Sequence, residues 1–197
     1  LGVNDEGLVA GVLNRRETQG LDLEFRSRGE LVLEALDHAD AADAAEALAH
    51  IDGRSYQAFN LVIADNRDAY WLKSTGDGGN GRVEAHEIPP GLSMITDYDL
   101  NDQNSARIRH FGPLFDEAGA PEPDQDQWSD WKALMASRQF APGADASEAM
   151  CIDRGTGFGT LSSSLIALAG SESPESTIKW HFAAGRPDQN SYEPVEL

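Results

Sequence analysis

Two short apolar runs constrain this chain more than any other feature. Leu8-Val9-Ala10-Gly11-Val12-Leu13 is uninterrupted, and Phe59-Asn60-Leu61-Val62-Ile63-Ala64 is broken only by one amide. Runs of this length read as strands buried on both faces rather than amphipathic strands with one wet side. Each must therefore lie in a sheet covered on both sides. Around them the pattern changes period. Leu31, Val32, Ala35 and Leu36 recur at helical spacing, predicting a helix over 28–38. Alanine-rich Asp40 to Ile51 predicts a second, with Asp40 as N-cap and Gly53 as stop. Ala69-Tyr70-Trp71-Leu72-Lys73 follows the Asp65–Asp68 turn and makes a hairpin with the second run. Val83–Ile88 and Gly91–Thr96 read as further strands, separated by Pro89-Pro90. Helices are expected over 104–117 and 126–137, and a closing hairpin from 157–169 and 177–184. Gly119 to Gln127, acidic and Pro-containing, reads as the segment least able to order. Strands first, helices in the middle and strands last describe a single α+β domain over 1–197 with mostly antiparallel sheets.

Charge narrows the function classes. Thirty-four Asp and Glu face fifteen Lys and Arg, a formal net charge of −19. A field of that sign repels phosphate backbones, which argues against a nucleic-acid partner. No run approaches the ~20 apolar residues of a membrane span. The expected location is cytoplasmic. Lysine is nearly absent (Lys73, Lys132 and Lys179) beside twelve arginines. That composition suits concentrated salt, where screening lengths of about 3 Å make such self-repulsion tolerable; an ordinary acidic protein is the alternative.

Conventional motifs are scarce. Gly155-Thr156-Gly157-Phe158-Gly159 lacks a phosphate-loop lysine and opens no helix, so it reads as the entry to a hairpin. Asp97-Tyr98-Asp99-Leu100-Asn101-Asp102 has half of a calcium loop, without the glycine or the closing glutamate. The five histidines are scattered, with no metal-ligand spacing. His38 and His50 fall at helix C-termini, where a cation complements the dipole. Cys151, the single cysteine, reads as a buried hydrophobe rather than a nucleophile. No cofactor is called for. Two strand-end residues remain as candidate site groups, Asn14 and Asp97. A strand-end amide is a good donor to an oxyanion, and equally a turn cap.

Several segments in order resemble the NRDE family, also called the transport and Golgi organisation protein 2 family. They are Leu1-Gly2-Val3, Gly7-Leu8-Val9-Ala10, Leu13-Asn14-Arg15-Arg16-Glu17, Ser27-Arg28-Gly29-Glu30-Leu31-Val32, Phe59 to Asp65, Pro90-Gly91-Leu92-Ser93 and Gly157-Phe158-Gly159-Thr160. The name-giving Asn-Arg-Asp-Glu motif is not Asn66-Arg67-Asp68; in the family it lies near the N-terminus. The family in turn resembles N-terminal-nucleophile hydrolases of the penicillin V acylase and bile-salt hydrolase kind. That resemblance implies a four-layer αββα sandwich and cleavage of linear amides by an N-terminal cysteine serving as nucleophile and base. The first strands, that cysteine and the name-giving motif would lie upstream of Leu1, missing from this chain.

The resemblance also implies roles. Asn14 matches the acylases' oxyanion asparagine, and Asp97 falls where they carry a second one. A carboxylate there repels an oxyanion unless protonated. Thr160 and Leu161 would line the same cavity mouth, with Leu161 in place of an arginine making that wall apolar and suited to a hydrophobic or planar ligand. The partner is a small-molecule substrate or ligand. The alternative function is non-catalytic handling or trafficking, in haem mobilisation or lipid homeostasis, with haem as ligand.

Overall fold

The computed structural model describes residues 1–16, 24–76, 81–155, 157–170 and 178–197. The fold is α+β, and the chain divides into two compact units, one built on Leu1–Asn101 and the other on Asp102–Ala169 and the C-terminal strands. The first carries a five-stranded antiparallel meander in the order β1-β2-β3-β4-β5. Its strands are β1 (Gly2–Val3), β2 (Val9–Asn14), β3 (Phe59–Ala64), β4 (Ala69–Ser74) and β5 (Glu84–Glu87). Helices α1 (Gly29–Leu36) and α2 (Ala41–Ala49) interrupt it between β2 and β3.

One face of that sheet is the core. Register pairs Ala10 with Ile63 and Val12 with Leu61, and Leu61 with Leu72. These side chains meet Leu31, Val32 and Ala35 of α1 and Ala41, Ala44, Ala45 and Leu48 of α2. Alanines on the inner face of α2 let it lie close to the sheet, and Leu48 fills the space they leave. Asp40 caps α2, its Oδ1 accepting the Asp43 N–H at 2.9 Å. His50 ends the helix with Nδ1 2.7 Å from the Glu46 carbonyl.

The second unit holds a three-stranded sheet, β6 (Ser163–Leu168), β7 (Ile178–Ala183) and β8 (Glu193–Pro194), with β7 central. Helices α3 (Ala106–Ala118) and α4 (Ser129–Met135) precede it. Phe115 and Trp131 join the two helices edge to face, with ring centroids 5.1 Å apart.

Three expectations are corrected. Gly91–Thr96 is not a strand: Pro89 and Pro90 lack the N–H groups a ladder needs, and the Thr96 carbonyl is taken by a side chain, Asn60. The 119–127 segment is ordered by a 3-10 turn at Pro123–Gln125, a Glu122–Gln127 bridge and Lys179 on Asp124. Finally, β2 is not buried on both faces; of its residues only Ala10 is fully covered. The strand β3 comes closer, with Phe59, Asn60, Leu61 and Ile63 all buried. The expected turn of the closing hairpin lies largely outside the described residues.

Candidate functional site

The face of the first sheet that points away from α1 and α2 is where polar chemistry collects. Register puts Leu13, Asn60, Lys73 and Glu84 in one row across β2 to β5, and Gly11, Val62, Trp71 and His86 in the next. Asn60 is wholly buried and uses every hydrogen-bonding position it faces. Its Nδ2 donates to the carbonyls of Thr96 and Tyr98, both at 2.8 Å. Its Oδ1 accepts from Arg15 Nη1 at 2.6 Å and Trp71 Nε1 at 3.0 Å. The amide thus sutures the 96–98 loop to the sheet by both carbonyls flanking Asp97.

Charge closes the cluster. Arg15 Nη2 donates to Asp99 at 2.6 Å and Lys73 Nζ to its other oxygen at 2.9 Å. Partial burial alone would raise the Asp99 carboxyl; the hydrogen bonds from Lys73 and Arg15 outweigh it and hold the group below the usual carboxylate range. Lys73 also lies 3.6 Å from Glu84 and over the Trp71 ring, which stacks on His86 at 5.2 Å.

Asp97 stands at the edge of this cluster, between the two carbonyls that Asn60 holds, whereas Asn14 lies on the other face of the sheet. Asn14 is the last residue of β2, exposed, and its side chain makes no hydrogen bond to a described residue. Its register mates are Phe59 and, one strand on, Ser74, so it belongs to the helix-side row rather than to Asn60's. Two residues later the Arg16 N–H donates to the Asp97 carbonyl at 3.1 Å, and Arg16 Nε lies 3.7 Å from its carboxylate. The Arg16 guanidinium sits 4.3 Å above the Tyr98 ring. The structure therefore brings the two segments together through Arg16, without a hydrogen bond between the two side chains. Arg15, Asn60, Lys73 and Asp99 were missed in sequence. The available signal was an amide in the middle of an apolar strand, which a buried position tolerates only when fully bonded.

Thr160 and Leu161 belong to the second unit. The Thr160 hydroxyl accepts the Ile152 N–H at 2.9 Å, and its own N–H donates to the Ile152 carbonyl, so it pins a local turn. The turn also explains the glycines before it: Gly155 and Gly157 have φ of +66° and +86°, which L side chains rarely adopt. Leu161 is 81% exposed and Phe158 63%. Cys151 is buried, its Sγ donating to Asp188 at 3.2 Å. Burial, reinforced by that carboxylate, pushes the thiol above its ordinary value, and Arg186 clamps Asp188 in turn. A thiol so held is protonated and a poor nucleophile. Among the described residues no group of three His, Cys, Asp or Glu is placed to hold a metal ion, and no helix is long and apolar enough to cross a membrane.

Residues 1–175 match the family model described as Transport and Golgi organisation 2, and the chain belongs to that family. No curated protein matches it.

Proposed function

We propose that this chain is the body of a hydrolase of linear amide bonds, with an αββα architecture of the N-terminal-nucleophile kind and a nucleophilic cysteine outside residues 1–197. The observation that carries the reading is Asn14: an exposed strand-end amide, free of described partners, beside the Arg16–Asp97 link. In that reading a cysteine thiol attacks the substrate carbonyl while its own α-amino group takes the thiol proton. Asn14 Nδ2 donates to the developing oxyanion, the proton passes to the leaving nitrogen as the C–N bond breaks, and water hydrolyses the thioester. Arg16, held at 3.7 Å, tempers the Asp97 carboxylate that would otherwise oppose the oxyanion.

The test is turnover of penicillin V and a conjugated bile salt. Residues 1–197 alone should cleave neither, whereas a longer protein beginning Met-Cys should cleave an acyl amide. Asn14→Ala in that protein should lower kcat by about 10²–10³-fold with unchanged melting. Activity that survives loss of the N-terminal cysteine, or is abolished by Cys151→Ser, would remove the reading.

Exposed Phe158 and Leu161 favour a second reading, the non-catalytic handling of an apolar or planar ligand such as haem or a lipid. Titration with haemin decides it: a saturable Soret shift weakened by Leu161→Asp is expected, and no saturable shift excludes haem.

A further inference from the structure

In the second unit, β7 presents Lys179, His181 and Ala183 on one face, and a single stretch of chain covers the first two. Lys179 Nζ donates to the Pro123 carbonyl at 2.9 Å and to Asp124 at 2.8 Å. One rung along, the His181 ring lies against Trp128, with centroids 5.1 Å apart. Lys132 of α4 reaches back to His181 Nδ1 at 3.3 Å, and Asp126 stands 3.6 Å from Nε2. The imidazole is therefore gripped from both ends by groups of opposite charge.

An ammonium has no lone pair to offer, so Lys132 must donate and Nδ1 must accept. The neutral Nε2–H tautomer follows, its N–H directed at Asp126. A proton added to the ring goes to Nδ1, where it would face the Lys132 ammonium, donor to donor and cation to cation. We infer that His181 is an acid-sensitive clasp, whose protonation exchanges the Lys132 contact for a tighter hold on Asp126 and so releases α4 from β7.

The surroundings support this direction of change. Burial, then the Lys132 charge, holds the His181 ring below the ordinary imidazole range, while Asp126 opposes them only weakly from an exposed position. Neighbouring strands add little: Leu165 of β6 and Pro194 of β8 are its register partners, and Glu193 next to Pro194 pairs with Phe182, one place further along β7. Tyr192, just before β8, gives its hydroxyl proton to Ser163, and its ring lies 5.6 Å from Lys132 Nζ, a resting place for the released ammonium. No residue within α4 is itself fully buried. Its ring contact and side-chain hydrogen bond at Trp131 run to the α3 side, through Phe115–Trp131 and the Trp131 Nε1–H donated to the Gly119 carbonyl at 2.7 Å. Release would therefore be local to the Lys132 end.

The experiment is an NMR titration of the whole chain from pH 7.5 to 4.5. It follows the His181 ring nitrogens, the Trp128 indole and amide exchange in α4. The expected result is an Nε2–H tautomer at neutral pH, then a single inflection shared by ring, indole and the Lys132 and Ala136 amides. Exchange of those amides should rise about tenfold beyond its intrinsic pH dependence. Lys132→Met should move the inflection up by about half a unit or more, and His181→Gln should abolish the α4 response. An Nδ1–H tautomer at neutral pH, an inflection indifferent to Lys132→Met, or α4 amides that ignore the ring would overturn the clasp. Should His181→Gln not fold, the Lys132 variant still decides.

Discussion

Asn60 shows how one buried side chain can set the geometry of a polar cluster. It carries two loop carbonyls, an indole N–H and a guanidinium, all from inside the sheet. Asn60→Ala takes one hydrogen-bond partner from each of four polar groups where water has little access. Each such loss costs about 1–3 kcal/mol, with some relaxation, so a total of about 2–4 kcal/mol is expected. Chemical denaturation checks this: the midpoint should fall while the slope is kept. Asn60→Asp should do no better, because its carboxylate would face the Thr96 and Tyr98 carbonyls. A variant within about 0.5 kcal/mol of the parent would show that the suture carries no stability.

At the scale of elements, Asp65 joins structures that are distant in sequence. It follows β3, and its Oδ1 accepts the N–H groups of Arg67 and Asp68, shaping the β3–β4 turn. Its Oδ2 accepts the Ala41 N–H at 3.0 Å, at the start of α2. Partial burial would raise this carboxyl, but the backbone donors outweigh it and leave the group below the usual range. Stability from such a group is present above the unfolded carboxylate range and lost as pH falls through the lowered native value. Asp65→Asn should therefore flatten the acid limb of the stability profile, read as thermal midpoint between pH 6 and 3. It should cost about 1–2 kcal/mol at neutral pH, more than the ~1 kcal/mol of an ordinary cap such as Asp40. An acid limb identical to the parent's would assign the loss of stability to other carboxylates.

For the whole molecule the dominant quantity is charge. The ion pairs at Asp99, Asp153 and Asp188 neutralise local clusters, yet the chain retains a formal −19. Self-repulsion on that scale favours any state that spreads the charge, and screening relieves it. The thermal midpoint should rise by about 5 °C or more between low salt and molar KCl, measured by calorimetry. A flat response would place the protein among ordinary acidic proteins. The α+β class, the limits of α2 and the β3–β4 hairpin were legible in the sequence itself, because each depends on residues close along the chain. Periodicity, a capping aspartate and a turn signal are local facts, and they survive whatever packs around them. The polar face was not legible: residues 15, 60, 73 and 99 meet only once three strands and a loop are in register. Gly91–Thr96 has strand-like composition, but its Thr96 carbonyl is taken by the Asn60 side chain of β3 and its Met94 carbonyl by the Asn101 N–H. In the sequence His181 is one scattered histidine; the structure sets it between Lys132 and Asp126. A pattern of side-chain types determines which segments become strands and helices; which charges meet depends on distances in space that the pattern does not contain.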